Sequence, residues 1–270
     1  MAVEQGHEVV LTGGDVTEGV VRAGDTVRRP LRAHSPAVHG LLGHLERVGF
    51  EGAPRFLGID ELGREVLTWM PGETPGRPMR EYAATEEALR GVARLLRRFH
   101  DAVSMYEAPP DAPWDVAFTT NVDDPPELIG HCDVTPDNVV FRDGVPYGLI
   151  DFDLARPTTR LFDVVNTLRT WAPLADPADR DEVFARLDAD AVGRRIRRFC
   201  DAYGLGREER RRVLPVARLR FERSYLAMRA RAERLGGGWE RMWRGGIGVR
   251  IRRGQDWLEQ SWDVLDARLG

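Results

Sequence analysis

Over the first 70 positions apolar residues fall in short alternating runs, and beyond them they fall in stripes of helical period. Val9-Val10-Leu11 runs into Gly13-Gly14, and two further runs, Gly19-Val20-Val21-Arg22 and Asp25-Thr26-Val27-Arg28, meet at Ala23-Gly24-Asp25. That composition predicts strands joined by a hairpin turn. Val38, Leu41, Leu42 and Leu45 lie on one stripe, which predicts a helix from Pro36 to Arg47. Glu65 to Met70 reads as another strand, stopped by Pro71-Gly72. The Pro- and Gly-rich stretch from Pro71 to Pro78 is the expected link to a mostly helical remainder. There Thr85 caps a helix with Glu86 and Glu87 in its first turn and Leu89, Val92, Leu96, Phe99 and Val103 on its stripe. Two later helices are predicted, one through Val213, Ala217, Phe221, Tyr225 and Met228, the other through Leu258, Trp262, Leu265 and Leu269. The expected architecture is α+β. A small strand-rich lobe spans 1–72 and a larger helical lobe spans 73–270, with a ligand cleft between them.

Composition changes this picture in few places. With 42% apolar and 30% charged residues in 270, the chain can bury a core and remain soluble. A net charge of −4 argues against general nucleic-acid binding, which needs phosphate neutralisation. The arginine runs Arg194–Arg198 and Arg207–Arg212 alternate with acids or apolar residues and read as solvated helix faces. Two cysteines, Cys132 and Cys200, are too few for a disulfide scaffold or a thiolate zinc site. No secretory signal or membrane span is visible, so the expected compartment is the cytoplasm and no membrane partner is expected. All 39 basic residues are arginine. A lysine-bearing P-loop is therefore impossible, and neither a Gly-x-Ser-x-Gly elbow nor a Gly-x-Gly-x-x-Gly fingerprint occurs.

The candidate chemistry lies between Leu128 and Asp153. Val139–Arg142 and Tyr147–Ile150 flank an Asp-Gly-x-Pro turn and predict a hairpin. With a loop of Asp143–Pro146, Arg142 opposes Tyr147, Val140 opposes Leu149 and Asn138 opposes Asp151; another loop length shifts this by a residue or two. The open end then joins an amide oxygen to a carboxylate, a pair suited to Mg2+ with its waters and substrate phosphates. Asp133, in the segment feeding that end, is a further carboxylate able to receive a hydroxyl proton. Phosphoryl transfer asks for little more than such positioning and charge neutralisation.

His131-x-Asp133-x-x-x-x-Asn138, followed by Ile150-Asp151-Phe152-Asp153, resembles the aminoglycoside phosphotransferase family, the small-molecule branch of the protein-kinase-like fold. The resemblance implies a two-lobed kinase-like fold with Asp133 as catalytic base, Asn138 and Asp151 as Mg2+ ligands, and Asp163 as a brace for the catalytic loop. Cys132 stands where the family has glycine. The phosphate-cradling loop should lie near Gly13 and Gly14, with the nucleotide base near Thr68, Trp69 and Met70. The family's strand lysine is replaced by arginine: Arg28 takes its position, with Arg29 adjacent, and Val38 or His39 stands near the expected helix glutamate. The implied activity is Mg2+-dependent transfer of the γ-phosphate of ATP (or GTP) to a hydroxyl of a small molecule. Two alternatives stand beside it: a degenerate kinase-like binding or immunity protein without catalysis, and a kinase acting on peptide serine or threonine. Asp176, Asp179, Asp181 and Glu182 form an acidic patch that an aminoglycoside amine would favour, or a plain solvated surface.

Overall fold

The computed structural model describes residues 8–11, 19–115 and 124–270. Five antiparallel strands form one sheet in the order β1-β2-β3-β5-β4. They are β1 (Glu8–Val10), β2 (Val21–Ala23), β3 (Thr26–Pro30), β4 (Phe56–Ile59) and β5 (Arg64–Thr68). Gly24, at φ 60°, turns the β2–β3 hairpin where only a residue without a Cβ is comfortable. The β3–β5 register sets Val27 against Leu67 and Arg29 against Glu65, so these four side chains share one face. Helix α1 (Ser35–Arg47) packs on the sheet side, with Val38, Leu41, Leu42 and Leu45 all buried. Burying each such aliphatic side chain contributes about 1.5–3 kcal/mol, which is why the stripe decides where α1 sits.

Glu73 forms a bridge with Phe141 and so ties the connector after β5 to the second half of the chain. Gly72 is essential there. At φ 140° its position for a Cβ lies 2.3 Å from the Phe141 carbonyl oxygen. Helix α2 (Glu86–Val103) starts as expected, the Thr85 hydroxyl accepting from the Ala88 N–H at 3.2 Å. Its apolar face forms the centre of the core with Phe99, Phe152 and Trp171.

Two short ribbons position the chemistry. β6 (Leu128–Gly130) pairs with β9 (Arg156–Thr158), and β7 (Val139–Arg142) pairs with β8 (Val145–Leu149). The β7–β8 register differs from the expected one. Arg142 opposes Val145 rather than Tyr147, because the turn is only Asp143-Gly144, both at positive φ. A bulge between Val140 and Phe141 then restores one residue, so Val140 opposes Gly148 rather than Leu149. Asn138 consequently meets Ile150, whose N–H donates to the Asn138 carbonyl at 3.0 Å, and not Asp151.

The remainder is helical: α3 (Arg160–Trp171), α4 (Ala189–Tyr203), α5 (Arg207–Leu235), α6 (Gly237–Arg244), α7 (Ile247–Gln260) and α8 (Trp262–Leu269). The single helix expected through Leu258 and Leu269 is two helices, broken at Ser261, where the backbone leaves helical geometry at φ −97°, ψ 0°. The arginine runs lie on α4 and α5 and are largely engaged: Arg197 with Asp201, Arg198 with Glu86, Arg212 with Asp124. No helix among the described residues is long and apolar enough to cross a membrane.

Candidate active site

The segment 131–138 is held from behind by Asp163 in the first turn of α3. Asp163 is fully buried, and its two oxygens accept from the His131 N–H at 2.8 Å and the Cys132 N–H at 2.9 Å. His100 adds a contact at 3.0 Å. Burial alone would raise this carboxyl, but the His100 bond and the backbone donors outweigh it and hold Asp163 below the usual carboxylate range. The bracing depends on Gly130. A Cβ there would lie 2.8 Å from Asp163 Oδ2 and 2.4 Å from Thr158 Cγ2. The grip turns the chain sharply, and Cys132 sits at φ 61°, the left-handed region that favours glycine. Its thiol is buried, and burial pushes its pKa far up, so it is not a nucleophile.

His131 ties this segment to the β8 end, bonding the Ile150 carbonyl through Nε2 at 3.0 Å and accepting from the Asp133 N–H at Nδ1 at 3.3 Å. That pair of partners requires the neutral tautomer protonated at Nε2. Asn138 donates from Nδ2 to the Asp133 carbonyl and to Asp133 Oδ2, both at 2.9 Å. Its Oδ1 is thereby the atom left to face a cation. Asp133 Oδ1 has Arg169 as a distant neighbour, at 4.0 Å. Asp151 follows at φ 62°, its side chain 45% exposed. Asn138 and Asp133 are in direct contact, and Asp151 lies near enough to Asp133 for their charges to interact.

The small sheet supplies a cation to the same place, and it comes from Arg29. Its guanidinium is spread over three carboxylates: Nε to Glu65 at 2.6 Å, one terminal nitrogen to Asp151 at 3.0 Å, the other to Asp153 at 2.6 Å. Glu65 is fully buried on β5, and its second oxygen contacts His39 Nε2 at 2.5 Å. His34 adds a contact to Asp153 at 3.5 Å. Burial opposes ionisation of Asp153, yet neighbouring His34 and the Arg29 charge hold it at about 2. Asp151 moves the other way: desolvation and the Asp153 charge push it up despite Arg29. Arg28, the residue the sequence points to, instead faces Asp60 at 3.7 Å. The available signal was strand parity, since Arg29 shares a face with Val27 and Arg28 does not.

Of the other singled-out residues, Gly13 and Gly14 lie outside the described residues. Thr68 and Trp69 close β5, their N–H groups donating to Arg55 and Asp25 carbonyls at 2.9 and 2.8 Å. Arg22 lies over the Trp69 ring at 4.3 Å. The Met70 side chain packs on Gly148, where a Cβ would stand 2.6 Å from its methyl. The acidic patch is engaged structurally. Asp181 accepts from the Met79 N–H at 2.6 Å, and Asp179 pairs with Arg253. Among the described residues no group of three or more His, Cys, Asp or Glu side chains gathers closely enough to hold a metal alone. The Asn138 and Asp151 oxygens still fit Mg2+, which takes one or two protein oxygens and completes its shell with phosphate and water.

Residues 103–212 match the model of the phosphotransferase enzyme family, which includes the segment with Asp133, Asn138, Asp151 and Asp163. Trifolitoxin immunity protein of Rhizobium leguminosarum bv. trifolii is 37% identical over 210 residues, 75% of this chain and 76% of that protein. The chain belongs to the phosphotransferase enzyme family. Solved structures agree on the fold. A choline/ethanolamine kinase family protein from Mesorhizobium loti superposes with a TM-score of 0.59 at 15% identity, covering 97% of this chain and 93% of that one. The gentamicin complex of APH(2'')-IIa gives 0.55 at 14% identity over 98% and 94% of the two chains. ADP-bound APH(2'')-Ib gives 0.55 at 13% identity over 97% and 95%. The chain therefore has the two-lobed, protein-kinase-like α+β fold of this family. Its departure is local. Arg29 is paired across the sheet to a strand glutamate, Glu65, where the family resemblance calls for a strand lysine paired to a helix glutamate; α1 contributes His39 at that place.

Proposed function

We propose that the protein is a Mg2+-dependent phosphotransferase that moves the γ-phosphate of ATP or GTP to a hydroxyl of a small molecule, in the cytoplasm. The observation that carries this is the Asn138–Asp133 contact at 2.9 Å, on a loop held by buried Asp163 and flanked by Asp151. Residues 1–72 form the nucleotide lobe in this reading and 73–270 the acceptor lobe. The base lies against Thr68–Met70, with the Met70 N–H as donor. Arg29, rather than Arg28, serves the α- and β-phosphates, swinging from Asp151 and Asp153 while keeping Glu65. Asn138 Oδ1 and Asp151 would hold Mg2+, which would supply neutralisation of phosphate charge. Asp133 Oδ1 accepts the acceptor's hydroxyl proton as the new oxygen–Pγ bond forms and the bond from Pγ to the bridging oxygen breaks, releasing the nucleoside diphosphate.

The test is transfer from ATP and GTP to a panel of hydroxyl compounds and short peptides, read by mass. The expected result is a mass gain of one phosphoryl group that disappears in Asp133→Asn while the melting temperature stays within a degree or two. Retained turnover in that variant would refute the assigned base.

A second reading is favoured by one observation, that Arg29 already occupies an oxygen of both Asp151 and Asp153. If the fork does not open, the protein is a kinase-like binder without turnover, in keeping with the name of its immunity-protein relative. Calorimetry decides: a folded protein that binds neither ATP nor GTP at millimolar levels with Mg2+ supports the second reading.

A further inference from the structure

Beyond Asp133 the site carries two arginines, Arg169 and Arg220, for which Asp133 is the acid that interacts among the described residues. On α3, Asp163, Asn166 and Arg169 follow at three-residue intervals, so they line one stripe that runs from beneath the loop to its open face. Arg169 reaches Asp133 only at 4.0 Å, its Nε has no partner among the described residues, and its side chain is 38% exposed. From α5, Arg220 crosses to the same stripe and donates from Nε to Asn166 Oδ1 at 2.6 Å, leaving Asn166 Nδ2 without a partner among the described residues. Arg220 is the most displaced of the arginines here. Burial first, then the charges of Arg169 and Arg156, push it down to about 9, with Asp133 the one acid opposing them.

Two nearby carboxylates are already engaged: Asp115 with Arg231 at 2.5 Å, and Asp137 with Arg77 at 2.5 Å. Among the described residues the arginine side of the site presents donors, and burial desolvates cations that an anion would relieve.

We propose that the acceptor is an anionic hydroxyl compound, its carboxylate or phosphate seated between Arg169 and Arg220 while its hydroxyl faces Asp133. This rests on the phosphotransferase reading for the role of the hydroxyl, but the anion site is independent of turnover. A guanidinium pair offers the planar, forked donors that carboxylate and phosphate oxygens match. The amine-bearing acceptors suggested by the structural relatives are disfavoured by like charge.

The experiment is a calorimetric titration of the full chain, saturated with Mg2+ and a non-hydrolysable ATP analogue. The probes are glycerate for a carboxylate source, glycerol 3-phosphate and inorganic phosphate for a phosphate source, and ethanolamine as the cationic counterpart. The anions should bind and ethanolamine should not. Whichever anion binds tightest identifies the source. Arg169→Gln with Arg220→Gln should weaken anion binding at least tenfold, and the Arg→Lys pair should recover most of it. Circular dichroism on each variant excludes unfolding, and the Lys pair keeps the test valid if the Gln pair fails to fold. The proposal is overturned if ethanolamine binds as well as the anions, if the Gln pair binds anions like the wild type, or if the nucleotide analogue alone blocks the anions. If the chain binds anions at these arginines but takes up no nucleotide, the anion site stands and the kinase reading falls. If it transfers phosphate only to amine-bearing hydroxyl compounds, the reverse holds.

Discussion

Arg29 concentrates more consequence than any other side chain. Three carboxylates share one guanidinium, and one of them, Glu65, has no exposure to water. Removing a buried partner leaves an uncompensated charge, which costs about 3–5 kcal/mol. Arg29→Ala should therefore lower stability by that order in urea unfolding, and adding Glu65→Gln should restore part of it. A double-mutant cycle with no coupling would contradict the pairing. Asp163 supports a second expectation. Its folded pKa is below its unfolded value near 4, so its stabilisation is present above about pH 4 and fades as pH falls beneath it. Asp163→Asn should cost about 2–3 kcal/mol at pH 7, the worth of charge-assisted bonds to two N–H groups and His100. The gap from wild type should close on acidification; a constant gap would mean the carboxylate's charge is immaterial. Sequence reading singled out Asp133, Asn138, Asp151 and Asp163 because their spacing is local or motif-borne, and Asp163 does hold the loop through its N–H groups. It missed the roles of Arg29 and Glu65, which lie 36 positions apart and meet only through β3–β5 register.

Elements were legible where one stripe decided them. α1 and α2 follow their apolar positions because burial of Leu41, Leu45, Leu89 and Leu96 outweighs local preference. β4 escaped notice because it is short, alternates partly exposed residues and contains Gly58 at φ 129°. The β7–β8 register escaped because Asp143-Gly144 closes a two-residue turn and a bulge follows, neither visible in the apolar pattern. Ser261 broke an expected helix without any glycine or proline to signal it. Gly130 gives a prediction at this scale. Gly130→Ala inserts a methyl against Asp163 and Thr158, closer than van der Waals contact permits, so β6 or the loop must shift. Transfer activity should fall at least tenfold while β-sheet content by circular dichroism is kept, since small misplacements of a catalytic group are expensive in rate. Unchanged activity would show that the brace tolerates displacement.

Over the whole molecule, a chain with net charge −4 sets Arg169 and Arg220 beside Asp133 and gathers three carboxylates around Arg29. Nucleotide with Mg2+ should insert between these halves and stabilise both. At one hundred times its dissociation constant the gain is about 2.7 kcal/mol, visible as a higher melting temperature that chelation of Mg2+ removes. A melting temperature indifferent to nucleotide would favour the non-catalytic reading. The lobe order was legible from the change from alternating runs to helical stripes, whereas the arginine stripe of α3 and α5 was not, because its members meet only on packing.

The cross-sheet arginine also decides how this protein answers chemical probes. Reagents that report nucleotide occupancy by acylating an amine beside the phosphates will find none at Arg29, in a sequence whose 39 basic side chains are all guanidinium. Dicarbonyl reagents that condense with guanidinium groups are the matching tool, and bound nucleotide should shield Arg29 from them. A negative result in an amine-labelling survey would thus reflect the missing functional group and carry no information about whether the pocket is filled.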